Sequence, residues 1–214
     1  MVQHFALVME ANQRLNLTAI VDPVQAAAKH YCDSLALLPL LDRFERPGRA
    51  ADVGSGAGFP GIPLALARPD WHWTLIDSKQ KKAEFLKQAV AALGLRNAET
   101  VLGRSEELAQ RAPWRDGFDL AVARAIAPLG TVAEILLPLV RPGGQAAAMK
   151  GPTSALSEEA VAALERLGAG APNLFDYELP GGLGRRTLVA LPKKAPTPEG
   201  IPRRPGLAAK RPLF

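Results

Sequence analysis

The spacing of hydrophobic residues changes near residue 47. Up to residue 45 the apolar positions recur every three to four residues, which predicts helices. Asp22-Pro23 is a typical helix start, with Asp as the N-cap and Pro in the first turn. After the breaker Arg46-Pro47-Gly48, short apolar segments alternate with amphipathic ones. The chain therefore reads as a helical N-terminal segment followed by an α/β domain.

Short apolar segments and amphipathic segments follow one another at the spacing of β-α-β units. The predicted strands are Arg49–Val53, Trp71–Asp77, Ala98–Leu102, Phe118–Ala123, Gln145–Lys150, Phe175–Leu179 and Arg186–Leu191. The predicted helices are Pro60–Ala67, Lys79–Leu93, Glu106–Gln110, Leu129–Leu139 and Ser154–Leu167. This order implies a mostly parallel sheet flanked by helices, closed by a C-terminal antiparallel strand pair across Gly181-Gly182. Ligands are expected at the carboxyl ends of the parallel strands.

Three segments are expected: 1–46, an N-terminal helical segment packed on the core; 47–191, the ligand-binding domain; and 192–214, a basic Pro-rich tail. Of the 214 residues 48% are hydrophobic and 22% charged, so a disordered chain is not expected. The single cysteine, Cys32, excludes a disulfide framework or a thiolate zinc site, and no metal is expected. The sequence has no run of 18 apolar residues and no signal-peptide pattern at its N-terminus. We therefore expect a soluble cytoplasmic protein without a membrane span.

All of the net charge lies in the tail. The chain carries a formal charge of +5, and residues 192–214 hold six lysines and arginines against Glu199 alone. A neutral body with one basic tail favours an anionic partner. The alternative is a disordered tail that only aids solubility.

A glycine-rich loop and a following acid predict a cofactor site. Gly54, Gly56 and Gly58 lie between a predicted strand and a predicted helix, where glycine permits a tight turn and close approach of a ligand. Asp77 ends the second strand, 23 residues after Gly54, where a carboxylate can accept hydrogen bonds from both hydroxyls of a ribose. The pair favours an adenosine-type cofactor over a loop that is only a tight turn.

The loop spacing indicates which cofactor. A NAD-binding loop reads G-x-G-x-x-G, whereas this one reads G-x-G-x-G and follows Asp52. This arrangement resembles class I methyltransferases, whose cofactor S-adenosylmethionine has no phosphate. Asp52 could hold the ammonium group of that cofactor, directly or through water. Asp52 could equally cap the loop backbone from the core, and the two roles are compatible.

A longer, ordered set of motifs resembles one family, the ribosomal RNA small subunit methyltransferase G family. The motifs are Asn16-Leu17-Thr18-Ala19-Ile20, His30-Tyr31-Cys32-Asp33-Ser34-Leu35, the run from Asp52 to Leu64, Leu75-Ile76-Asp77-Ser78-Lys79-Gln80-Lys81-Lys82, Gly103-Arg104-Ser105-Glu106-Glu107, Ala123-Arg124-Ala125, Lys150-Gly151 and the basic ending from Pro202 to Leu213. The resemblance covers nearly the whole chain. It implies a Rossmann-like class I methyltransferase fold and methylation of N7 of a guanosine in the 530 loop of 16S rRNA. The partner would be 16S rRNA or the 30S ribosomal subunit, and nothing demands more than a monomer.

The resemblance also implies the site residues. Cofactor contacts would fall on Gly54, Phe59, Asp77, Ser78, Lys79, Ser105, Glu106 and Arg124. Ser105 stands where many members carry Ala or Val. The N-terminus is also about one helix shorter than usual, so we expect either a truncated start or a surface that the tail covers.

Guanine N7 carries no proton, so its attack on the methyl group needs no general base, and no residue is nominated as a catalyst. Arg124 could orient the methionine carboxylate of the cofactor, bind the guanine or a phosphate, or form only a strand-end salt bridge. Phe59 is an aromatic residue in the loop with few core reasons to be there.

Further candidates lie outside the loop. Among the tail cations, Arg203, Arg204, Lys210 and Arg211 are the best candidates for RNA contact. His30 and Asp33 share a helix face, either lining the substrate pocket or forming a buried pair. Trp71 and Trp73 are expected in the core. The lysines that open the helix after Asp77 are as compatible with a solvated face as with RNA contact.

Three other functions compete with rRNA methylation. A class I methyltransferase acting on a small molecule or protein is compatible with the neutral body. A NAD-dependent dehydrogenase would need a proton donor at a strand end, and neither His30 nor His72 is placed for that. A non-enzymatic RNA-binding protein would not need the glycine loop together with Asp77.

Overall fold

The computed structural model describes residues 1–124, 127–153 and 155–214. In these residues the chain forms a seven-stranded sheet with the order β3-β2-β1-β4-β5-β7-β6. The strands are β1 Arg49–Val53, β2 His72–Asp77, β3 Ala98–Leu102, β4 Phe118–Arg124, β5 Val140–Lys150, β6 Asn173–Glu178 and β7 Arg185–Pro192. β1 to β5 pair in parallel, whereas β7 runs antiparallel to both β5 and β6. The predicted mixed α/β fold with a C-terminal antiparallel pair is confirmed.

Short and long helices connect the strands. They are α1 Val2–Leu15, α2 Pro23–Ala26, α3 Asp33–Leu35, α4 Leu38–Leu41, α5 Gly61–Ala67, α6 Gln80–Ala92, α7 Ser105–Leu108, α8 Leu129–Leu136, α9 Glu158–Arg166 and α10 Leu207–Lys210. A π-helical turn, Ala27–Cys32, joins α2 to α3. Asp22 caps α2 as predicted, since its carboxylate accepts the N–H of Gln25 over 2.8 Å. No helix in the described part of the chain is long and apolar enough to cross a membrane.

The sheet is buried on both faces because its central strands alternate between two hydrophobic clusters. Ala50 and Leu75 belong to one cluster, and their neighbours Ala51 and Ile76 belong to the other. The N-terminal helices pack into the first cluster, which also takes in Trp71 and Trp73, both fully buried as predicted. α8, α9 and the C-terminal segment pack into the second.

Two predicted boundaries differ from the structure by four residues or more, and the others differ by three or fewer. β5 begins at Val140 rather than at residue 145, because the Arg-Pro-Gly-Gly stretch stays beside β4 through a register shift. α9 begins at Glu158, since Ser157 is its N-cap and accepts the N–H of Ala160 over 3.2 Å. The predicted start of that helix, Ser154, lies outside the described residues.

Candidate active site

The glycine loop lies where the sheet reverses its winding. β1 sits between β2 and β4, so its carboxyl end is the switch point of the sheet. Gly54, Gly56 and Gly58 all have positive φ angles, of 75°, 56° and 92°. A β-carbon on Gly58 would lie 2.5 Å from a methyl group of Ile62. The loop conformation therefore requires glycine at these positions.

Asp77 is bonded into this loop. One carboxylate oxygen accepts the N–H of Gly56 over 3.0 Å, and the other accepts the N–H of Lys79 over 2.9 Å. The side chain is nearly buried, so two backbone donors fix its orientation at the end of β2. Each oxygen retains a further acceptor position, because an ionised carboxylate can accept about four hydrogen bonds.

Most of the predicted cofactor residues meet at one small cavity. It has a volume of about 90 Å³ and is lined by Val53, Gly54, Ile76, Asp77, Ser78, Gly103, Arg104, Ser105 and Glu106. Two carboxylates, two serines and Arg104 are its polar lining, and β1 and β2 contribute the apolar residues Val53 and Ile76. This donor and acceptor set fits an adenosine, whose hydroxyl and amino groups donate and whose base is apolar on its faces.

A second cavity of about 610 Å³ adjoins the first at Gly54, which lines both. Phe59 and Arg124 line this larger cavity. So do four further cations that were not singled out as site residues, Lys29, Lys82, Lys150 and Arg186. The structure thus divides the predicted residues between two adjoining spaces, one rich in acceptors and one rich in cations.

Lys79 is placed differently from its neighbours. Its backbone N–H reaches Asp77, but its exposed side chain lines a surface groove with Arg14 and Asn16 at the end of α1. Only the main chain of Lys79 therefore belongs to the candidate site.

Arg124 is anchored on the N-terminal helices. Its guanidinium donates to Asp33 over 3.1 Å and to the carbonyl of Lys29 over 3.0 Å. It also donates to Nδ1 of His30 over 3.2 Å and lies 5.0 Å from the centre of the Phe59 ring. These contacts fix Arg124 at the wall of the larger cavity. Ala125, which completes its motif, lies outside the described residues.

His30 and Asp33 both line the larger cavity and both bind Arg124. Burial and the nearby Arg124 charge lower the pKa of His30 to about 4, so the ring is neutral at pH 7. Its Nδ1 accepts from Arg124, hence Nε2 donates to the hydroxyl of Thr18 over 2.8 Å. His30 and Asp33 are thus linked through Arg124, and the role of their cavity in substrate binding stays a prediction.

Tyr177 was missed by sequence reasoning. Its hydroxyl donates to Asp33 over 2.8 Å from β6, 144 residues away. No local signal marks such a contact, because it depends on β6 reaching the same sheet edge as the N-terminal helices.

The expectation that Phe59 has few core reasons to be there was wrong. It is 5% exposed and belongs to the first hydrophobic cluster. Its ring stacks on His30 at 4.6 Å and meets Tyr31 edge-on at 5.1 Å. Phe59 therefore ties the glycine loop to the N-terminal helices while it also lines the larger cavity.

Asp52 lies beneath the loop and lines neither cavity. It is fully buried, and one carboxylate oxygen accepts the N–H of Gly61 over 2.9 Å at the start of α5. Burial raises the pKa of Asp52 to about 6. Of the two roles considered, capping of the loop from the core is the one that this geometry displays.

The basic tail is packed against the domain. Lys193 is buried, and its ammonium donates to the carbonyl of Leu137 over 2.7 Å. Arg203 forms an ion pair with Glu134, a fully buried carboxylate of α8. Arg204, Lys210 and Arg211 are exposed. The four predicted RNA contacts thus include one arginine engaged within the protein and three cations facing solvent.

Within the described ranges, no group of three or more histidine, cysteine, aspartate or glutamate side chains could hold a metal ion.

Comparison with known proteins finds solved structures of the same fold and a family to which this chain is similar. Residues 1–167 match the family described as rRNA small subunit methyltransferase G. Relatives bearing that name include one from Moorella thermoacetica, 45% identical over 97% of this chain and 86% of the relative, and one from Deinococcus radiodurans, 41% identical over 98% and 83%. Similar solved structures include a SAM-dependent methyltransferase from Aquifex aeolicus, with a TM-score of 0.54 and 18% identity over 79% of this chain and 93% of that one. A predicted O-methyltransferase from Agrobacterium tumefaciens has a TM-score of 0.57 and 22% identity over 74% and 80%.

Proposed function

Because the chain belongs to the rRNA small subunit methyltransferase G family, we propose that it methylates N7 of a guanosine in the 530 loop of 16S rRNA, with S-adenosylmethionine as methyl donor. The observation that carries this proposal is the pair of adjoining cavities at the switch point. An acceptor-rich space suits an adenosine, and the cation-lined space beside it suits a nucleotide with its phosphates. We expect the protein to act as a monomer in the cytoplasm on 16S rRNA or the 30S subunit.

The small cavity supports binding of the cofactor. Asp77 would accept hydrogen bonds from the ribose hydroxyls at its free acceptor positions, and Ser105 and Glu106 would hold the adenine. Gly54 permits close approach of the ligand where the two cavities join. When bound, S-adenosylmethionine supplies a methyl group on a positively charged sulfur, which is a good leaving group.

The larger cavity supports binding of the target base. Arg124 can donate to guanine O6 or to a phosphate, since its fork is already oriented by Asp33 and His30. Lys82, Lys150 and Arg186 add positive charge to the same wall. Its cavity adjoins the small one at Gly54, so orientation of the methionine carboxylate of the cofactor is the second candidate role of Arg124.

The reaction requires positioning rather than proton transfer. The lone pair of guanine N7 lies in the ring plane, so it would form a bond to the methyl carbon in line as the sulfur–methyl bond breaks. The thioether would leave, the positive charge would pass to the guanine, and no proton would leave N7. His30 is neutral and bonded through both ring nitrogens, so it serves to hold Arg124 and Thr18. Alignment of two bound reactants can lower the barrier by about 7–11 kcal/mol. No residue is therefore assigned as a general base.

The exposed tail cations Arg204, Lys210 and Arg211 support contact with RNA phosphates outside the cavity. Replacing all three with Gln should weaken RNA binding and reduce the slope of log K against log salt by roughly 0.7–0.9 for each phosphate that is no longer neutralised. Arg166→Gln, an exposed arginine at the end of α9, serves as the control for loss of one charge. An unchanged slope in the triple variant would show that the tail touches no phosphate.

Methyl transfer is tested directly with methyl-labelled S-adenosylmethionine. The acceptors are 16S rRNA and 30S particles from cells lacking this activity, and the label is mapped by cleavage at 7-methylguanosine. The expected result is one labelled guanosine in the 530 loop. Label at another position or in another base would overturn the proposed specificity. Transfer to neither RNA by protein that binds S-adenosylmethionine would overturn the proposed substrate.

A further inference from the structure

The C-terminal segment reaches the wall of the small cavity. The backbone N–H of Gly206 donates to one carboxylate oxygen of Glu106 over 3.1 Å. The other oxygen of Glu106 accepts the hydroxyl of Ser105 over 3.3 Å. Glu106 and Ser105 both line the small cavity. A carboxylate of the candidate cofactor site is thus oriented by a residue 100 positions later in the chain.

An ion pair between Arg203 and a buried carboxylate closes the loop that contains Gly206. Glu134 of α8 is fully buried and accepts both the backbone N–H of Arg203, over 3.0 Å, and its Nε, over 2.8 Å. The same guanidinium donates to the carbonyl of Arg211 over 2.7 Å. Arg203 therefore closes the chain around residues 203–211, with Gly206 inside that loop.

Further bonds dock this loop on the domain. The hydroxyl of Thr131 donates to the carbonyl of Ala208 over 2.9 Å, and Gln110, just after α7, donates to the carbonyl of Pro202 over 2.6 Å. Glu106 and Gln110 lie on the same short stretch of chain. The C-terminal segment is consequently joined both to α8 and to the stretch that carries the cavity wall.

The ion pair is the charged contact of this docking, and its carboxylate, on Glu134, is fully buried. A fold is strongly destabilised when a buried carboxylate loses its cationic partner. Separation of Arg203 from Glu134 would carry that cost, so the ion pair favours the docked position of the loop that contains Gly206.

We propose that the Glu134–Arg203 ion pair is a positioning device for the cofactor site, which holds Gly206 against Glu106 and so orients the Glu106 carboxylate in the small cavity. The inference rests on the proposed binding of S-adenosylmethionine there. Glu134 and Arg203 act through Glu106 and do not themselves touch the ligand. Since coupling between two sites is reciprocal, a bound cofactor must stabilise the docked segment as much as the docked segment strengthens cofactor binding.

The first test uses the unaltered protein. Amide hydrogen exchange is measured across residues 203–211 with and without saturating S-adenosylmethionine. We expect exchange there to slow at least about 5-fold, the lower end of usual coupling between sites. α9, Glu158–Arg166, does not line either cavity and is the internal reference. Slower exchange at the cavity residues with no change at 203–211 would overturn the proposal.

The second test compares variants by calorimetric titration with S-adenosylmethionine. The double variant Glu134→Gln/Arg203→Gln removes both charges together, so no buried carboxylate is left unpaired. We expect its dissociation constant to rise at least about 5-fold. Arg166→Gln, the same chemical change away from the ion pair, should bind as the unaltered protein does.

The outcomes separate the two proposals. Failure of the unaltered protein to bind S-adenosylmethionine would overturn the proposed function, and this inference with it. Normal binding by a folded double variant would overturn the positioning role alone. Should the double variant fail to fold, the exchange experiment on the unaltered protein still decides the question.

Discussion

The backbone N–H of Gly56 donates to the carboxylate of Asp77 over 3.0 Å, which joins the glycine loop after β1 to the acid that ends β2. From the sequence, the loop and the acid are expected to be two separate contacts to a ligand. In the structure the loop and the acid stabilise each other through this bond. A second bond, from the N–H of Lys79, fixes the other oxygen of Asp77. The loss of Asp77 would remove an acceptor for the ligand and a support for the loop at once.

Asp77→Ala should therefore weaken S-adenosylmethionine binding by about 10- to 100-fold, the equivalent of one or more hydrogen bonds to a charged group. Asp77→Asn should lose less, because its amide oxygen can still accept one hydrogen bond. Calorimetric titration measures both constants. Asp42→Ala, an exposed aspartate that pairs with Arg68, is the control for removal of a carboxylate. Equal affinity in Asp77→Ala and the unaltered protein would remove Asp77 from the cofactor site.

Arg124→Lys should affect the function of the larger cavity and leave cofactor binding in the small one nearly unchanged. The substitution keeps the charge but loses the fork that spans Asp33, His30 and the carbonyl of Lys29. Because Arg124 lines only the larger cavity, we expect methyl transfer to rRNA to fall at least about 10-fold, as for a misplaced bidentate contact to a base. The affinity for S-adenosylmethionine should change less than about threefold. That is well below the roughly 10-fold loss expected if about 1.4 kcal/mol of binding free energy were removed. A parallel loss of cofactor affinity would instead favour its contact with the methionine carboxylate.

Asp52→Asn should act on stability rather than on binding. Burial raises the pKa of Asp52 to about 6, against 3.8 in the unfolded chain. The cost of ionising Asp52 in the fold is therefore absent below pH 3.8 and complete above about pH 6. Asn is neutral and its amide oxygen can still accept the N–H of Gly61. Urea denaturation at about pH 8 should show the variant at least as stable as the unaltered protein, by up to about 3 kcal/mol. A large loss of S-adenosylmethionine affinity in this variant would give Asp52 the ligand role instead.

The parts of the fold that depend on local pattern could be read from the sequence. The strand from Arg49 to Val53 and the strand from Ala98 to Leu102 have the predicted bounds. The positions of the glycine loop and Asp77 followed from chain order, since both lie at carboxyl ends of neighbouring parallel strands.

The contacts that depend on tertiary packing could not be predicted from the sequence. Glu134 lies in an apolar stretch of α8, and only the return of the C-terminal segment explains its burial beside Arg203. A count of charges places Arg203 with the exposed cations, because the sum of charges contains no information on which of them is paired inside the fold.

His4 is a further residue that packing alone assigns, since it lies in α1, 53 residues before the loop residue that it supports. Its Nε2 donates to the carbonyl of Ala57 over 2.9 Å, and its Nδ1 accepts the hydroxyl of Tyr31 over 3.0 Å. Both ring nitrogens are thus used by the neutral form. A second proton on the ring would leave the Tyr31 hydroxyl facing a donor.

Acidification should therefore weaken the fold through His4. Burial lowers its pKa to about 4, against 6.5 in the unfolded chain, so between these values the unfolded state binds the additional proton. Stability from the neutral ring is complete above pH 6.5 and is lost as the pH falls towards 4. Between these limits the unaltered protein should lose about 3 kcal/mol more unfolding free energy than His4→Gln, whose side chain does not titrate. Urea denaturation at steps of about half a pH unit measures the difference. The two proteins differ only at His4, so the effects of all other groups cancel in the comparison. Parallel curves of unfolding free energy against pH would show that His4 is free to take up a proton in the fold.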